Sequence, residues 1–420
     1  MGKYVIGGGA HLTGSVRISG AKNAVLPMLA GAVLTRSQCI ILDAPDIRDL
    51  AVMSNILRSI GVSVEVMERE GRRAVVVSAA NLRASEVPED LMREMRSSIF
   101  LMGPLLGRTG KVRVSYPGGC AIGSRPIDLH LNGLRALGAT ITEKSGYIHA
   151  EARQLKGKEL HLDFPSVGAT ENIMMAAVLA KGTTVIHNAA KEPEIVDLQN
   201  FLNGMGARIT GAGMDVIRIE GVPELGGTEH VAIPDRIEAG TFMAAAAITG
   251  SDITLENVIP EHVEAVMAKL RETGAEICGE REHLSVRCPA RPKAVDFKTL
   301  PYPGFPTDMQ PQMMALMCIA DGTSVITETV FENRLKQAEE LRRMGANIKV
   351  EGRTAVVKGV PRLSGARVTA TDLRSGAALV LAGLVADEET QVEEIEHIDR
   401  GYENFDAKLR GLGVKIHRLG

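Results

Sequence analysis

Apolar and polar residues alternate along the chain in two patterns, and each pattern recurs about every 70 residues. The first is an amphipathic stretch that stops at a glycine and continues into a short β-rich run. In one copy Ile127, Leu131 and Leu134 fall at helical spacing, and a glycine follows where a helix C-cap favours it. Each copy therefore predicts a helix that ends before a β-strand. The recurring glycines are Gly61, Gly138, Gly206, Gly274, Gly345 and Gly413.

The second pattern consists of segments that are rich in Ala, Leu and Met on every face. A helix without a polar face is typical of a protein interior, so these segments predict six helices enclosed by protein. Several are followed by a glycine turn and a run of β-branched residues, as at 182–187 and 322–327, which predicts strands around the helices. The six segments span 24–34, 98–107, 172–180, 240–249, 309–320 and 375–386.

The two patterns together define six repeated units of α/β structure. The sixth copy begins at 375 and is shorter than the others, and two short strands predicted within 1–21 supply the missing length. Because a unit of this size cannot bury its own faces, units are expected to pack on one another. We expect two domains of three units each, one spanning 22–233 and the other formed by 1–21 plus 234–420. A cleft between domains is a common ligand site, and the active site is expected there.

Composition narrows the classes of partner. The 420 residues carry a net charge of −3, so neither nucleic acid nor an anionic membrane is an expected partner. Aromatic residues make up 3% of the chain, which also argues against a surface that stacks on bases. The most apolar runs are too short to span a bilayer. The five cysteines are odd in number and far apart, which favours free thiols in a reducing compartment and hence the cytoplasm.

Charged residues stand at the start of several predicted buried helices. Lys22, Arg96 and Arg374 are basic residues at such positions, where a positive charge opposes the helix dipole unless an anion is bound. These positions predict a phosphate or carboxylate site. Asp235 and Asp308 lie at equivalent positions, and the local pattern alone favours simple helix caps for both.

A glycine-rich turn at 117–126 carries Cys120 and Arg125. The glycines let the backbone approach a ligand closely, and the nearby arginine favours the thiolate form of the cysteine. A reactive thiol is therefore one interpretation. The alternative is a small apolar side chain in a surface loop, which is the commoner role of an isolated cysteine. The local sequence leaves both open.

The other turns carry weaker candidates. Glu192 and Glu194 are interpreted as capping or solvated carboxylates, and His130 and His397 as structural histidines. The sequence has no Walker loop, dinucleotide fingerprint, HExxH helix or Ser-His-Asp arrangement. A metal-dependent or nucleotide-hydrolysing mechanism is therefore not expected.

Taken together, the ordered motifs resemble the enolpyruvyl transferase family over essentially the whole chain. The resemblance implies an inside-out α/β barrel of two similar domains, each with three repeats. It also implies transfer of the enolpyruvyl group of phosphoenolpyruvate to the 3′-hydroxyl of UDP-N-acetylglucosamine, with release of phosphate, at the start of peptidoglycan synthesis. No metal or organic cofactor is implied. The matching segments are 19–24, 95–98, 117–130, 165–170, 191–197, 234–237, 305–310, 329–334, 372–374 and 397–402.

The resemblance implies a role for each matching residue. Cys120 would be the general acid toward the enol methylene carbon and the residue that fosfomycin-type epoxides alkylate, and Asp308 would be the base near the sugar hydroxyl. The phosphate and carboxylate of phosphoenolpyruvate would be held by Lys22, Arg125 and Arg400, supported by Arg334 and Arg374. The turn at 117–126 would close as a lid. The UDP-sugar would be held by Asn23, Arg96, Arg125, Pro126, Asp128, Leu129, Ser166, Val167, Gly168, Thr307, Asp308 and Val330.

Two other functions compete with this expectation. The sister enzyme that adds enolpyruvyl to shikimate 3-phosphate shares the fold but lacks a reactive loop cysteine. A silent repeat protein that only binds sugar nucleotides would need neither the acid nor the base. One departure concerns Phe164, which stands where some family members carry a lysine and has no positive charge to offer a diphosphate. The expected assembly is a monomer or a weak homo-oligomer.

Overall fold

The computed structural model describes residues 2–116 and 127–420, and these form two compact units. The first unit contains residues 20–116 and 127–233, and the second contains 2–19 and 234–420. The helices are α1 (Lys22–Gly31), α2 (Arg48–Ser59), α3 (Glu89–Glu94), α4 (Met102–Thr109), α5 (Asp128–Ala136), α6 (Val167–Ala177), α7 (Pro193–Gly204), α8 (Arg236–Thr249), α9 (Glu264–Glu272), α10 (Gln310–Ile319), α11 (Gln337–Arg343), α12 (Leu373–Leu384) and α13 (Phe405–Gly411).

The strands are short and follow the helices along the chain. They are β1 (Lys3–Ile6), β2 (Thr13–Arg17), β3 (Gln38–Leu42), β4 (Ser63–Arg69), β5 (Arg72–Ser78), β6 (Lys111–Ser115), β7 (Thr140–Lys144), β8 (Tyr147–Glu151), β9 (Glu159–His161), β10 (Thr183–His187), β11 (Arg208–Thr210), β12 (Val216–Glu220), β13 (Glu229–Val231), β14 (Asp252–Glu256), β15 (Glu276–Glu280), β16 (His283–Arg287), β17 (Phe297–Lys298), β18 (Thr323–Thr327), β19 (Asn347–Glu351), β20 (Thr354–Lys358), β21 (Arg367–Thr369), β22 (Thr390–Glu393) and β23 (Ile416–Leu419).

Three helices form the centre of each unit, as the apolar segments predict. They are α1, α4 and α6 in the first unit and α8, α10 and α12 in the second. In α10 every residue from Gln310 to Cys318 is buried, because Ala, Leu and Met on all faces leave no side for solvent. Among the helices of the described residues, none combines the length and the apolar run that a membrane crossing needs.

Among the described residues, six sheets surround the central helices, and five of them share one strand order. An edge strand pairs in parallel with the strand that follows a central helix along the chain. Two further antiparallel strands complete the sheet, as in the order β9, β10, β12 and β11. The sheet of β6, β8 and β7 has three strands, and a single parallel bridge between Glu86 and Arg113 takes the place of its edge strand. The repeated order is the structural counterpart of the sequence repeat.

The chain passes twice from one unit to the other, and a strand stands just before each passage. β2 belongs to the second unit and pairs with β14, and β13 belongs to the first unit and pairs with β3. β1 lies between β22 and β23 and so completes the sixth sheet, as the repeat length predicts. The same prediction is wrong for β2, which belongs to the fourth sheet because its partner is the strand after α8.

The six recurring glycines end their helices in the left-handed region of backbone space. The φ angle is 92° at Gly61 and lies between 87° and 101° at the five others. Residues with a Cβ rarely adopt this conformation, and glycine does so without strain. The prediction of a helix stop at each repeated glycine is confirmed.

Candidate active site

The first of the basic residues at a helix start, Lys22, pairs with a buried carboxylate. Lys22 is the first residue of α1, and its side chain is 10% exposed. Its Nζ lies 2.8 Å from Oδ2 of Asp49, which is in the first turn of α2 and is also buried. Asn23, the next residue of α1, is half-buried. The ammonium group is therefore fixed at a helix end whose backbone N–H groups favour anions.

The second helix start lies beside a neutral histidine. Arg96 begins a 3₁₀ helix (Arg96–Leu101) that leads into α4. Asp128 and Leu129 open α5, where Asp128 is exposed and Leu129 half-buried. His130 follows them and is almost completely buried, and burial lowers its pKa to about 4, with the charge of Arg96 acting in the same direction. His130 therefore carries no charge at neutral pH.

A buried amide fixes the orientation of this histidine. Asn172 of α6 accepts a hydrogen bond from the backbone N of Gly103 at 2.6 Å, and its Nδ2 donates to the carbonyl of Ile99. The same Nδ2 lies 3.0 Å from Nδ1 of His130, so Nδ1 is the acceptor and the proton of the ring lies on Nε2. This confirms a structural role for His130. Sequence reasoning missed Asn172, whose one signal is a polar residue inside an apolar helix.

The loop before α6 carries the third set of candidates. The Ser166 side chain caps α6 by accepting a hydrogen bond from the backbone N of Ala169 at 3.4 Å. Val167 and Gly168 form the first turn, and a Cβ at Gly168 would lie 3.1 Å from the ring of His130. Position 168 therefore has room for a glycine but little for a residue with a side chain. Phe164, just before this turn, is 44% exposed.

In the second unit two arginines hold Asp308. Nη2 of Arg334 lies 2.9 Å from Oδ1 of this carboxylate, and Nε and Nη2 of Arg374 both lie 3.1 Å from Oδ2. Arg334 is 4% exposed and Arg374 is 2% exposed, whereas the Asp308 side chain is 26% exposed. The two guanidinium groups stabilise the ionised carboxylate, which is the form that accepts a proton.

The expectation that Asp308 is a simple helix cap is wrong, because its side chain pairs with the two arginines instead of the helix backbone. At Asp235 the same expectation is confirmed. Its Oδ1 accepts from the backbone N of Ile237 at 2.8 Å and of Glu238 at 3.0 Å. The local sequence is similar at both positions, and only the arginines brought by other elements distinguish them.

A buried glutamate connects two other predicted site residues. The side chain of Glu328 is 1% exposed and accepts hydrogen bonds from Thr307 Oγ1 at 2.9 Å and from the backbone N of Val330 at 2.8 Å. It also accepts from Thr299 and from the backbone N of Phe331. Thr307 and Val330 are thereby fixed relative to each other. Sequence reasoning missed Glu328, although it directly precedes a segment that carries the family resemblance.

The remaining predicted residues have different outcomes. Arg400 is half-buried and ends a 3₁₀ helix (Ile395–Arg400) in the second unit. Cys120, Arg125 and Pro126 lie outside the described residues, so their roles stay predictions. Among the residues 2–116 and 127–420, no group of His, Cys, Asp or Glu has an arrangement that could hold a metal ion.

A buried acidic side chain that the sequence did not reveal lies in α6. Glu171 is 1% exposed, and neither of its carboxyl oxygens has a hydrogen-bond partner in the described part of the chain. Burial raises its pKa well above the usual range, and the nearby charges of Glu194 and Glu192 raise it further. Glu194 is itself 3% exposed, so of its two interpretations, a capping or a solvated carboxylate, the solvated one is wrong.

Comparisons with known proteins give consistent similarities. Residues 6–409 match the family model of EPSP synthase (3-phosphoshikimate 1-carboxyvinyltransferase). The chain is 64% identical over 419 residues to UDP-N-acetylglucosamine 1-carboxyvinyltransferase 1 of Symbiobacterium thermophilum, covering 99% of this chain and 95% of that protein. It is 57% identical over 416 residues to the protein of the same name from Caldanaerobacter subterraneus, covering 99% of both.

Solved structures are similar over the same length. The enolpyruvyl transferase NikO from Streptomyces tendae has a TM-score of 0.89 and 25% identity, with 99% of this chain and 98% of that chain covered. An EPSP synthase from Acinetobacter baumannii has a TM-score of 0.76 at 20% identity, with 100% of both chains covered, and shows the shared fold alone. The fold class expected from the sequence is confirmed.

Proposed function

The chain belongs to the EPSP synthase family of enolpyruvyl transferases, and on that premise we propose that it transfers the enolpyruvyl group of phosphoenolpyruvate to the 3′-hydroxyl of UDP-N-acetylglucosamine. The acceptor follows from the names of relatives that are 54–64% identical over nearly the full chain. Phosphate is the second product. In this proposal the reaction begins the synthesis of peptidoglycan precursors in the cytoplasm.

The observation that carries the proposal is the environment of Asp308. A partly exposed carboxylate held by two buried arginines is ionised and oriented, which suits a base that takes the proton of the sugar hydroxyl. A protein that only binds sugar nucleotides has no need of such a group. Sugar binding would involve Asp308 together with Thr307 and Val330, which Glu328 fixes relative to each other.

The donor, phosphoenolpyruvate, has a phosphate and a carboxylate that need cationic partners. Lys22 supplies one positive charge at the start of α1, where the helix dipole adds to it. We assign Lys22, Arg125 and Arg400 to the two anionic groups, with Arg334 and Arg374 acting through Asp308. Neutralising the phosphate makes it a better leaving group.

The proposed reaction has an addition step and an elimination step. In the addition, the sugar oxygen loses its proton to Asp308 and bonds to C2 of phosphoenolpyruvate, while the electrons of the double bond take a proton from Cys120 at C3. The product is a tetrahedral ketal that still carries phosphate. In the elimination, C3 returns a proton to the Cys120 thiolate and the double bond re-forms. The C–O bond to phosphate breaks while Asp308 passes the proton that it took from the sugar to the departing phosphate. Atoms and charges balance without a metal or an organic cofactor.

The nucleotide half of the acceptor is assigned to the first unit. Val167 and Gly168 lie in the first turn of α6, where backbone N–H groups have no acceptor within the helix and favour anions, and a side chain at Gly168 would crowd the His130 ring. Uncharged His130 lies behind this turn and would contribute no positive charge to nucleotide binding. The other assigned contacts are Asn23, Arg96, Arg125, Pro126, Asp128 and Leu129.

A phosphate-release assay tests the proposal. Purified protein with phosphoenolpyruvate and UDP-N-acetylglucosamine should release phosphate, and shikimate 3-phosphate in place of the UDP-sugar should give none. The Cys120→Asp variant should keep activity, because it retains an acid, and should resist an epoxide that alkylates the wild type. No release with the UDP-sugar, or equal release with shikimate 3-phosphate, would refute the assignment.

A further inference from the structure

A buried hydrogen-bonded group lies next to Arg374 in the second unit. It consists of Tyr402, Thr241 of α8 and Gln312 of α10, which are 2%, 0% and 0% exposed. The hydroxyl oxygens of Tyr402 and Thr241 are 2.8 Å apart. Nε2 of Gln312 lies 3.0 Å from the Thr241 oxygen and 3.2 Å from the Tyr402 oxygen. Three polar side chains thus meet inside the core formed by the central helices.

The directions of these hydrogen bonds follow from their chemistry. Thr241 donates its one proton to the carbonyl of Ile237 at 2.7 Å, so its oxygen accepts from the others. Tyr402 must then donate to Thr241, and Gln312 donates to both oxygens. The phenol oxygen of Tyr402 is left as an acceptor. Burial raises the pKa of Tyr402, so the phenol keeps the proton that it donates.

The acceptor oxygen and the ring of Tyr402 both face the charge of Arg374. The guanidinium carbon of Arg374 lies 5.2 Å from the centre of the Tyr402 ring, within the range of a cation–π contact. Arg374 also interacts with the phenol electrostatically, and with Asp308 through Nε and Nη2. Nη1 of Arg374 has no hydrogen-bond partner in the described residues, so the Tyr402 phenol holds the guanidinium through its ring face and by electrostatic attraction, not by a hydrogen bond.

Tyr402 also ties this group to the segment that carries Arg400. Its backbone N donates to the carbonyl of Ile398 at 3.0 Å, which closes the turn after the 3₁₀ helix that Arg400 ends. Tyr402 therefore contacts Arg374, which supports Asp308, and it also anchors the segment that ends at Arg400.

We propose that Tyr402, oriented by Thr241 and Gln312, is a positioning residue that holds Arg374 against Asp308 for the transfer reaction. The inference rests on the proposed function, because it assigns Tyr402 to the alignment of the base. Tyr402 does not touch substrate in this account. Its contribution is expected in the turnover step, where the position of Asp308 matters most, and not in binding of the UDP-sugar.

The Tyr402→Phe variant tests the role, since it keeps the ring and removes the hydroxyl. We expect kcat to fall about tenfold while KM for UDP-N-acetylglucosamine stays within about twofold. The acid limb of the kcat profile should move to higher pH, because a less firmly held Arg374 stabilises the ionised Asp308 less. A purely structural role would lower the melting temperature and leave the acid limb in place.

Tyr4→Phe is the matched control. Tyr4 is a buried tyrosine of the same unit with Arg418 over its ring at 5.9 Å, but that arginine pairs with Asp399. Its loss of a hydroxyl should leave kcat and the pH profile unchanged. Wild-type kinetics in Tyr402→Phe, equal to those of Tyr4→Phe, would overturn the proposal.

A second variant, Thr241→Val, removes the acceptor of the Tyr402 proton and leaves the phenol intact. It should slow turnover in the same direction, and the double variant should be about as slow as Tyr402→Phe alone, since both changes act on one network. Multiplicative effects would contradict the proposal. An inactive wild type would instead refute the proposed function, because that result does not depend on any ratio between variants.

Discussion

The ammonium group of Lys22 lies 2.8 Å from a carboxylate oxygen of Asp49, and both side chains are almost completely buried. A buried lysine needs a nearby negative charge, so Asp49 holds Lys22 in its charged form at the start of α1. Asp49→Asn removes this charge with little change of shape. We expect KM for phosphoenolpyruvate to rise about tenfold, which corresponds to about 1.4 kcal/mol.

The control for this change is Asp46→Asn. Asp46 also forms an ion pair, with Arg73 at 2.8 Å, but its side chain is 69% exposed. Exposed pairs contribute little, so its steady-state kinetics should match the wild type. Equal KM values for the two variants would show that Asp49 does not support Lys22.

Glu328 is expected to matter for the sugar acceptor. Glu328→Gln removes the negative charge and replaces one acceptor oxygen by a donor. The hydrogen bond that Thr307 donates to Oε2 is therefore lost or reversed, and those from Thr299 and the backbone N of Val330 lose their charged acceptor. We expect KM for UDP-N-acetylglucosamine to rise about tenfold, measured by initial rates. Glu332→Gln, at an exposed position in the same segment, should stay within about twofold. Wild-type KM in Glu328→Gln would contradict this role.

Asn172 is expected to be a major contributor to the stability of the first unit. Asn172→Ala leaves the buried N–H of Gly103, the carbonyl of Ile99 and Nδ1 of His130 without their partner. The expected loss is about 3 kcal/mol in the free energy of unfolding, measured with denaturant. The exposed Asn132→Ala in α5 should change stability by less than about 0.5 kcal/mol. A small effect at both positions would refute this interpretation of the network.

Glu171 predicts a specific dependence of stability on pH. The pKa of Glu171 is raised in the folded protein. Between the usual glutamate pKa and this raised pKa, the folded state therefore keeps a proton that the unfolded chain has lost. Folding stability should therefore fall as pH rises from the unfolded pKa toward the folded one. Glu171→Gln should melt at a higher temperature than the wild type at pH 8, and the difference should vanish near pH 4, about the pKa of an unfolded glutamate.

A melting-temperature difference that is independent of pH would contradict the Glu171 prediction. The exposed Glu351→Gln serves as a control, because its side chain is 73% exposed and pairs with a lysine, Lys349. It should leave the dependence of melting temperature on pH unchanged.

Much of the fold follows from local sequence pattern. The glycines such as Gly138 and Gly345 stop their helices because their conformation is a property of a few neighbouring residues. The burial of α10 follows from the lack of a polar face. The pairing of β2 with β14 does not follow in this way, because it joins strands far apart in the chain and depends on where the chain passes between the units.

Candidate site residues could be predicted from sequence where the residue type alone indicates the chemistry. They could not be predicted where the role depends on contacts with other segments. Basic helix starts such as Lys22 and Arg374 indicate anion binding by themselves. The pairing of Asp308 with Arg334 required the folded structure, since the local sequence around Asp308 resembles that around the capping Asp235. Glu328 and Asn172 were missed because their importance comes from buried N–H groups of other segments, which a sequence does not display.

The most direct test of the central claim is the identity and amount of both products from one reaction. Wild-type protein with phosphoenolpyruvate and UDP-N-acetylglucosamine should form phosphate and an enolpyruvyl ether at the sugar 3′-oxygen in a one-to-one ratio, as followed by phosphorus and proton NMR. Formation of phosphate without the ether, or an unchanged spectrum, would contradict the account.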